Sequence, residues 1–153
     1  MTKQFTLQPL MNLAKHQNDS ATSKLGKLNK LQQSAQSKLD LLLQYRKDYQ
    51  DRLQTSTQTG INPTELRNFQ QFINKLDQAI SQQLKLVAQS RDSTRAGRGE
   101  FDMAQRKLKS LDVLQQRHIE TQKKIAAKSE QTATDEHTGR NAAYKAINNE
   151  EQN

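Results

Sequence analysis

Counting every seventh residue from Leu7 returns Leu7, Ala14, Ala21, Leu28, Ala35, Leu42 and Tyr49. An apolar line held over about six heptads is one face of one helix. A flanking row supplies Met11, Leu25, Leu39 and Leu53, alternating with Leu10, Leu31 and Tyr45, while Asn18, Gln32 and Arg46 interrupt it. The stripe is narrow and gapped, which suits a seam between two helices; a helix lying on a large core carries a wider one.

Composition leads the same way. A chain of 153 residues reads as one domain and needs a sizeable core. Hydrophobic residues make up only 32%, aromatics 5%, Trp is absent and mean hydropathy is −1.03, against about 45–50% apolar content in ordinary globular domains. Either the chain is disordered or it buries only a seam. Gly (5) and Pro (2) are scarce while Gln, Lys, Leu and Ala abound, which favours long helices over disorder.

The heptads stop after Leu53, and Thr55 to Asn62 (TSTQTGIN) is poor in helix formers, so a turn is expected there. Asn62, Pro63, Thr64 and Glu65 then supply an N-cap, a proline at the first helical position and an acid at the third. A second line of sevens follows: Leu66, Ile73, Ile80, Val87, Thr94, Phe101 and Leu108. Its companion row holds Phe69, Leu76, Ala104, Leu111 and Ile125 but fails at Gln83, Ser90 and Gly97. The stretch from Ser90 to Gly99 is therefore the weakest part of the seam, with a kink or local fraying expected at RAGRGEF.

These signals predict an all-α fold: a long two-helix antiparallel coiled-coil hairpin with a flexible C-terminal tail. Helix 1 is expected over about residues 4–54, the turn over 55–62 and helix 2 over about 63–130, so residues 1–130 form the hairpin. Residues 131–153 are polar and net acidic and read as a mobile tail.

No run of about 18 apolar residues occurs to span a membrane, and the N-terminal MTKQFTLQPLMNLAK lacks the pattern of a secretory signal. Without Cys there is no disulfide framework or thiolate metal site. His16, His118 and His137 have no second ligand type one turn away, the glycines of RAGRGEF lack phosphate-loop spacing, and carboxylates such as Asp48 and Asp51 lie among basic neighbours. No catalytic, cofactor or metal site is expected.

Net charge is +8, which favours an anionic partner. Residues 1–62 carry 9 basic against 4 acidic side chains, 63–83 carry 2 against 2, 84–128 carry 11 against 5, and 129–153 carry 2 against 5. Arg91, Arg95 and Arg98 form a partial stripe, followed by Arg106, Lys107 and Lys109; no aromatic residue is interleaved to stack on bases. In the neutral middle, the apolar positions Phe69, Phe72, Ile73, Leu76, Ala79 and Ile80 are broader than a two-helix seam requires. Phe72, Leu76 and Ala79 stack along one edge, which is expected to be partly exposed and to dock another protein.

At these residues the sequence resembles a known family. LLLQYRKDYQDRL (41–53), the turn with Gly60 and Ile61, and NFQQFINKLDQAISQQ (68–83) are similar to the flagellar FliJ family. The resemblance implies a non-enzymatic, central-stalk-like component of the flagellar type III export apparatus, cytoplasmic and peripheral to the inner face of the membrane. Its implied partners are the export ATPase hexamer, whose assembly it promotes, the cytoplasmic part of the export gate, and export chaperones. Gate binding falls on the edge Phe72, Leu76 and Ala79, continued by Gln83, which departs from the histidine of the family motif. The ATPase ring would then face the basic ends, at Lys24, Lys27, Arg106, Lys107, Lys109 and Arg117. Two other readings stay open: a basic hairpin binding nucleic acid, which a salt titration would expose, and a generic coiled-coil adaptor dimerising through its seam.

Overall fold

A computed structural model describes residues 3–152. Two helices account for nearly all of it, α1 (Gln8–Thr59) and α2 (Pro63–Glu150), with no strand among the described residues. The fold is the all-α hairpin the heptads predict, with the two helices packed on each other.

The helix ends follow local chemistry. Thr64 N donates to Asn62 Oδ1 at 3.0 Å and Leu66 N to the Asn62 carbonyl, so the predicted cap is formed around Pro63, whose missing N–H costs nothing there. At the other side of the turn, Gly60 sits at φ +95°, a left-handed conformation that glycine adopts without strain after a helix end. The turn is shorter than the residue types suggest. Thr55, Thr57 and Thr59 remain helical, each hydroxyl donating to the carbonyl four residues back at 2.7–3.2 Å. α1 starts at Gln8 and not near residue 4, because Pro9 is tolerated only in a first turn.

The packing falls into two compact units. In the unit His16–Gln105, α1 and α2 run antiparallel from the turn. Residues with reduced exposure recur mainly at three- and four-residue steps on both helices, from Asn18 to Leu53 on α1 and from Leu66 to Ala104 on α2, with Gln36, Ala79 and Asp102 as flanking additions. Leu39, Ile80 and Val87 form the core of this seam with Ala35 and Leu42 packed against them. Each such side chain, fully buried, is worth about 1.5–3 kcal/mol.

Polar residues in the seam answer to the opposite backbone. Gln83 Nε2 donates to the Ala35 carbonyl at 2.9 Å, and Thr94 Oγ1 reaches the Leu28 carbonyl at 3.3 Å while also donating to Ser90 O at 2.8 Å. Asn18, Gln32 and Arg46, which interrupt the flanking row of α1, are half-buried, while Leu10, Leu31 and Tyr45, expected to alternate with its apolar members, are exposed. Asn18 Oδ1 is buried with no hydrogen-bond partner among the described residues.

The RAGRGEF segment neither kinks nor frays: α2 runs through it. Gly97 is buried, and a Cβ built on it would lie 2.5 Å from Leu28 Cδ1, so the glycine makes room for a leucine of α1. Gly99 faces open space.

The second unit comprises the described residues up to Lys15 and from Arg106 onward. Met11, Ala14 and Leu111 form its core, with Phe5, Leu7 and Leu108 against it. Gln115 Nε2 donates to Gln8 Oε1 at 3.3 Å; His118 lies 2.9 Å from the Lys3 carbonyl and stacks obliquely on Phe5 at 5.5 Å. From Lys123 to Glu150 every residue of α2 is exposed. The helix thus extends well beyond residue 130, through a stretch that includes several alanines, with the hydroxyls of threonines 132 and 134 donating to the Lys128 and Glu130 carbonyls.

Candidate docking site

The end of the His16–Gln105 unit beside the turn brings Tyr49 of α1 together with Phe69 and Phe72 of α2. Tyr49 stacks on Phe72 with ring centroids 4.1 Å apart and planes at 27°, and meets Phe69 edge-on at 5.8 Å. The Arg52 guanidinium carbon lies 5.8 Å from the centroid of the same tyrosine ring. Tyr49, Glu65, Asn68, Phe69 and Phe72 line a shallow hollow of about 390 Å³. Heptad counting assigned Tyr49 and Phe69 to the seam; that Tyr49 would also carry Phe72 depends on helix register, which the sequence does not reveal.

The four edge residues do not share one environment. Phe72 is 39% exposed, one ring face covered by Tyr49. Leu76 is 7% exposed and Gln83 9%, both turned into the seam, and Ala79 is half-buried. The partly exposed edge expected from the sequence is thus limited to Phe72 and the rim of Ala79. The cause is the seam's own geometry: Leu76 and Gln83 occupy the row facing α1, whereas Phe72 and Ala79 flank it.

Beside this edge, Arg46 Nε contacts Asp77 Oδ1 at 2.5 Å and Nη2 lies 3.5 Å from Oδ2. This hydrogen bond, with the attraction between the charges, raises the Arg46 pKa; the same hydrogen bond holds the Asp77 carboxyl below its ordinary range, against a smaller opposing effect of desolvation. The sequence showed Arg46 only as a gap in an apolar row. Its aliphatic stem lies in that row while the guanidinium reaches out to α2.

Of the basic positions, Lys24 is paired with Glu100 at 3.0 Å across the His16–Gln105 unit, both side chains more than half exposed. Lys27 is exposed in the same unit. Arg106, Lys107, Lys109 and Arg117 are exposed in the other. Among the described residues no three His, Cys, Asp or Glu side chains cluster as a metal site would, and no helix is long and apolar enough to cross a membrane.

The fold defines a coiled-coil protein built from two long helices packed on each other. A family model described as Flagellar FliJ protein matches residues 2–146. The chain belongs to that family, and membership implies a component of flagellar protein export. It is 34% identical to the Flagellar FliJ protein of Salmonella typhi over 82 residues, covering 54% of this chain and 56% of that one. With the Flagellar FliJ protein of Escherichia coli K12 it shares 26% identity over 117 residues, 76% of this chain and 80% of the relative. The matched stretch thus spans little more than half of the first relative's length. No solved structure matches.

Proposed function

We propose that this chain is a non-enzymatic stalk of the flagellar type III export apparatus. It sits in the ring of the export ATPase, promotes the ring's assembly and links it to the export gate, handling export chaperones as it does so. It works at the cytoplasmic face of the membrane. Family membership supports the apparatus; the observation that carries the docking role is the exposed ring face of Phe72, backed by Tyr49. A flat aromatic held rigid by its neighbours costs little entropy to bury against a partner.

The basic side chains Lys24, Lys27, Arg106, Lys107, Lys109 and Arg117 are the ATPase-facing positions in this reading, attracting an acidic lumen over several ångströms. The stretch beyond residue 130 is its mobile end, since a helix with no packed face is marginal in water.

The test is a pull-down of the full chain with the export ATPase and with the gate's cytoplasmic domain. Wild-type chain is retained by both. Phe72→Asp, which keeps Leu76 in the seam, loses the gate and keeps the ATPase. Gate retention undiminished by Phe72→Asp removes the docking assignment, and retention of wild type by neither partner removes the function.

A further inference from the structure

The flank of the seam at Arg91, Arg95 and Arg98 has a use the stalk reading does not absorb. The three arginines occupy positions i, i+4 and i+7 of α2, so their side chains project along one face over about 10 Å. With Gln32 of α1, Thr94, Gly99 and Asp102 they line a groove of about 500 Å³. All three are exposed.

Their charges are unspent. The cross-helix ion pairs of this unit are Lys24–Glu100 and Arg46–Asp77. Among the described residues none of the three arginines pairs with a carboxylate; Arg91 donates one hydrogen bond, at 3.3 Å, to the neutral amide oxygen of Gln36. Asp102 is the one carboxylate lining the groove, half-buried at its far end. Gly99, with nothing within 4 Å of where its Cβ would be, leaves the floor open beside Arg95 and Arg98.

We infer that this groove binds an acidic helix of a partner protein through carboxylates spaced one turn apart. Guanidinium is planar and forks two parallel N–H donors, which matches a carboxylate better than a lysine ammonium does, and every cation lining the groove is an arginine. A ladder at i, i+4 and i+7 is complementary to the same ladder of Glu or Asp on a helix lying alongside. Leu31 and Met103, the chain neighbours of Gln32 and Asp102, are 63% and 70% exposed and offer apolar flanks that a helix can cover. Nucleic acid fits less well. The groove is lined by no aromatic side chain on which a base could stack, and three cations in a short straight row cannot follow a phosphate backbone far.

The probe is a blocked, alanine-rich helical peptide with glutamates at i, i+4 and i+7, titrated into the isotopically labelled full chain. Arginine Nε–H resonances are the readout. Saturable shifts at Arg91, Arg95 and Arg98 are expected. Arg95→Glu with Arg98→Glu should weaken binding by at least about tenfold, and replacing all three by Lys, which keeps the charge and the fold, by several-fold. A peptide of the same composition with its glutamates spread around the helix should bind more weakly. Absence of saturable binding, equal affinity for the scattered peptide, or affinity undiminished in both variants overturns the inference. Tighter binding of a single-stranded oligonucleotide or of inorganic polyphosphate overturns it in favour of a phosphate site.

Discussion

Gly97 of α2 and Leu28 of α1 interlock closely: a Cβ on the glycine would meet Leu28 Cδ1 at 2.5 Å. Gly99, two residues on, faces nothing within 4 Å. Two glycines in one helix therefore carry opposite expectations. Gly99→Ala should raise stability by up to about 1 kcal/mol through helix propensity alone. Gly97→Ala gains the same propensity but must push Leu28 aside, at about 1–3 kcal/mol of overpacking. Urea denaturation should put Gly97→Ala at least about 1 kcal/mol below Gly99→Ala, and adding Leu28→Ala should shrink that gap. Equal stabilities would mean Leu28 yields freely.

Acid should dissolve the Arg46–Asp77 pair. A carboxyl whose pKa is depressed in the folded state adds stability above its unfolded value, near about 3.9, and loses it as pH falls through the lower folded value. The stability difference between wild type and Asp77→Asn should accordingly be present from pH 5 to 7, fade below about pH 4, and shrink with added salt because the pair is exposed. A difference that persisted unchanged at pH 2 would assign the effect to packing.

Two buried amides in the seam should respond in opposite directions. Gln83→Ala loses a hydrogen bond and leaves a void, costing about 1–3 kcal/mol. Gln83→Met should be nearly neutral, since the Ala35 carbonyl is inside α1 and keeps its helical partner. Asn18→Leu should stabilise, by about 1–2 kcal/mol, because Asn18 Oδ1 is buried without a partner among the described residues. Thermal melts of the three variants suffice to check the order.

Phe72 and Leu76 separate binding from folding. Leu76→Ala should cost about 2–3 kcal/mol, less than in a globular core because a two-helix seam collapses more easily. Phe72→Ala should cost about 1 kcal/mol, mainly the stacking on Tyr49. If Phe72→Ala proves the more destabilising, Phe72 is a seam residue and its exposed face is incidental.

Removing residues 131–153 should leave the urea midpoint within experimental error, because α2 is exposed at every position from Lys123 to Glu150 and shares no buried surface there. Amide exchange in that stretch should be fast compared with the seam around Leu39 and Val87. A marked drop in stability on truncation would reveal packing in that stretch.

The architecture was legible because the strongest signals were local. Seven-residue spacing from Leu7 needs no knowledge of the partner, and Asn62–Pro63 caps a helix wherever it lies. Side-chain fates were harder, because they depend on which residues meet. Gln83, Ser90 and Gly97 counted as failures of an apolar row, yet all three have reduced exposure in the seam. Polarity was the wrong criterion there: a backbone carbonyl across the seam serves an amide, and a missing side chain serves a leucine. A different ambiguity placed Leu76 both in the companion row and on the partly exposed edge with Phe72; the three–four alternation assigns it to the buried row and leaves Phe72 outside.

The Gln83 bond to the main chain of α1 also bears on how the hairpin keeps its alignment. A carbonyl looks alike at every residue, so sliding α1 by one heptad would offer Gln83 the oxygen of Leu28 or Leu42 in place of that of Ala35, at no loss. The leucine–glycine interlock does discriminate. After the same slide Gly97 would confront Ala21 or Ala35, leaving a hollow, and Leu28 would be driven against Ser90 or Ala104, where a side chain already stands. An absent methyl thus adds its own constraint on where the two helices stop, beside the short turn and the Arg46–Asp77 pair.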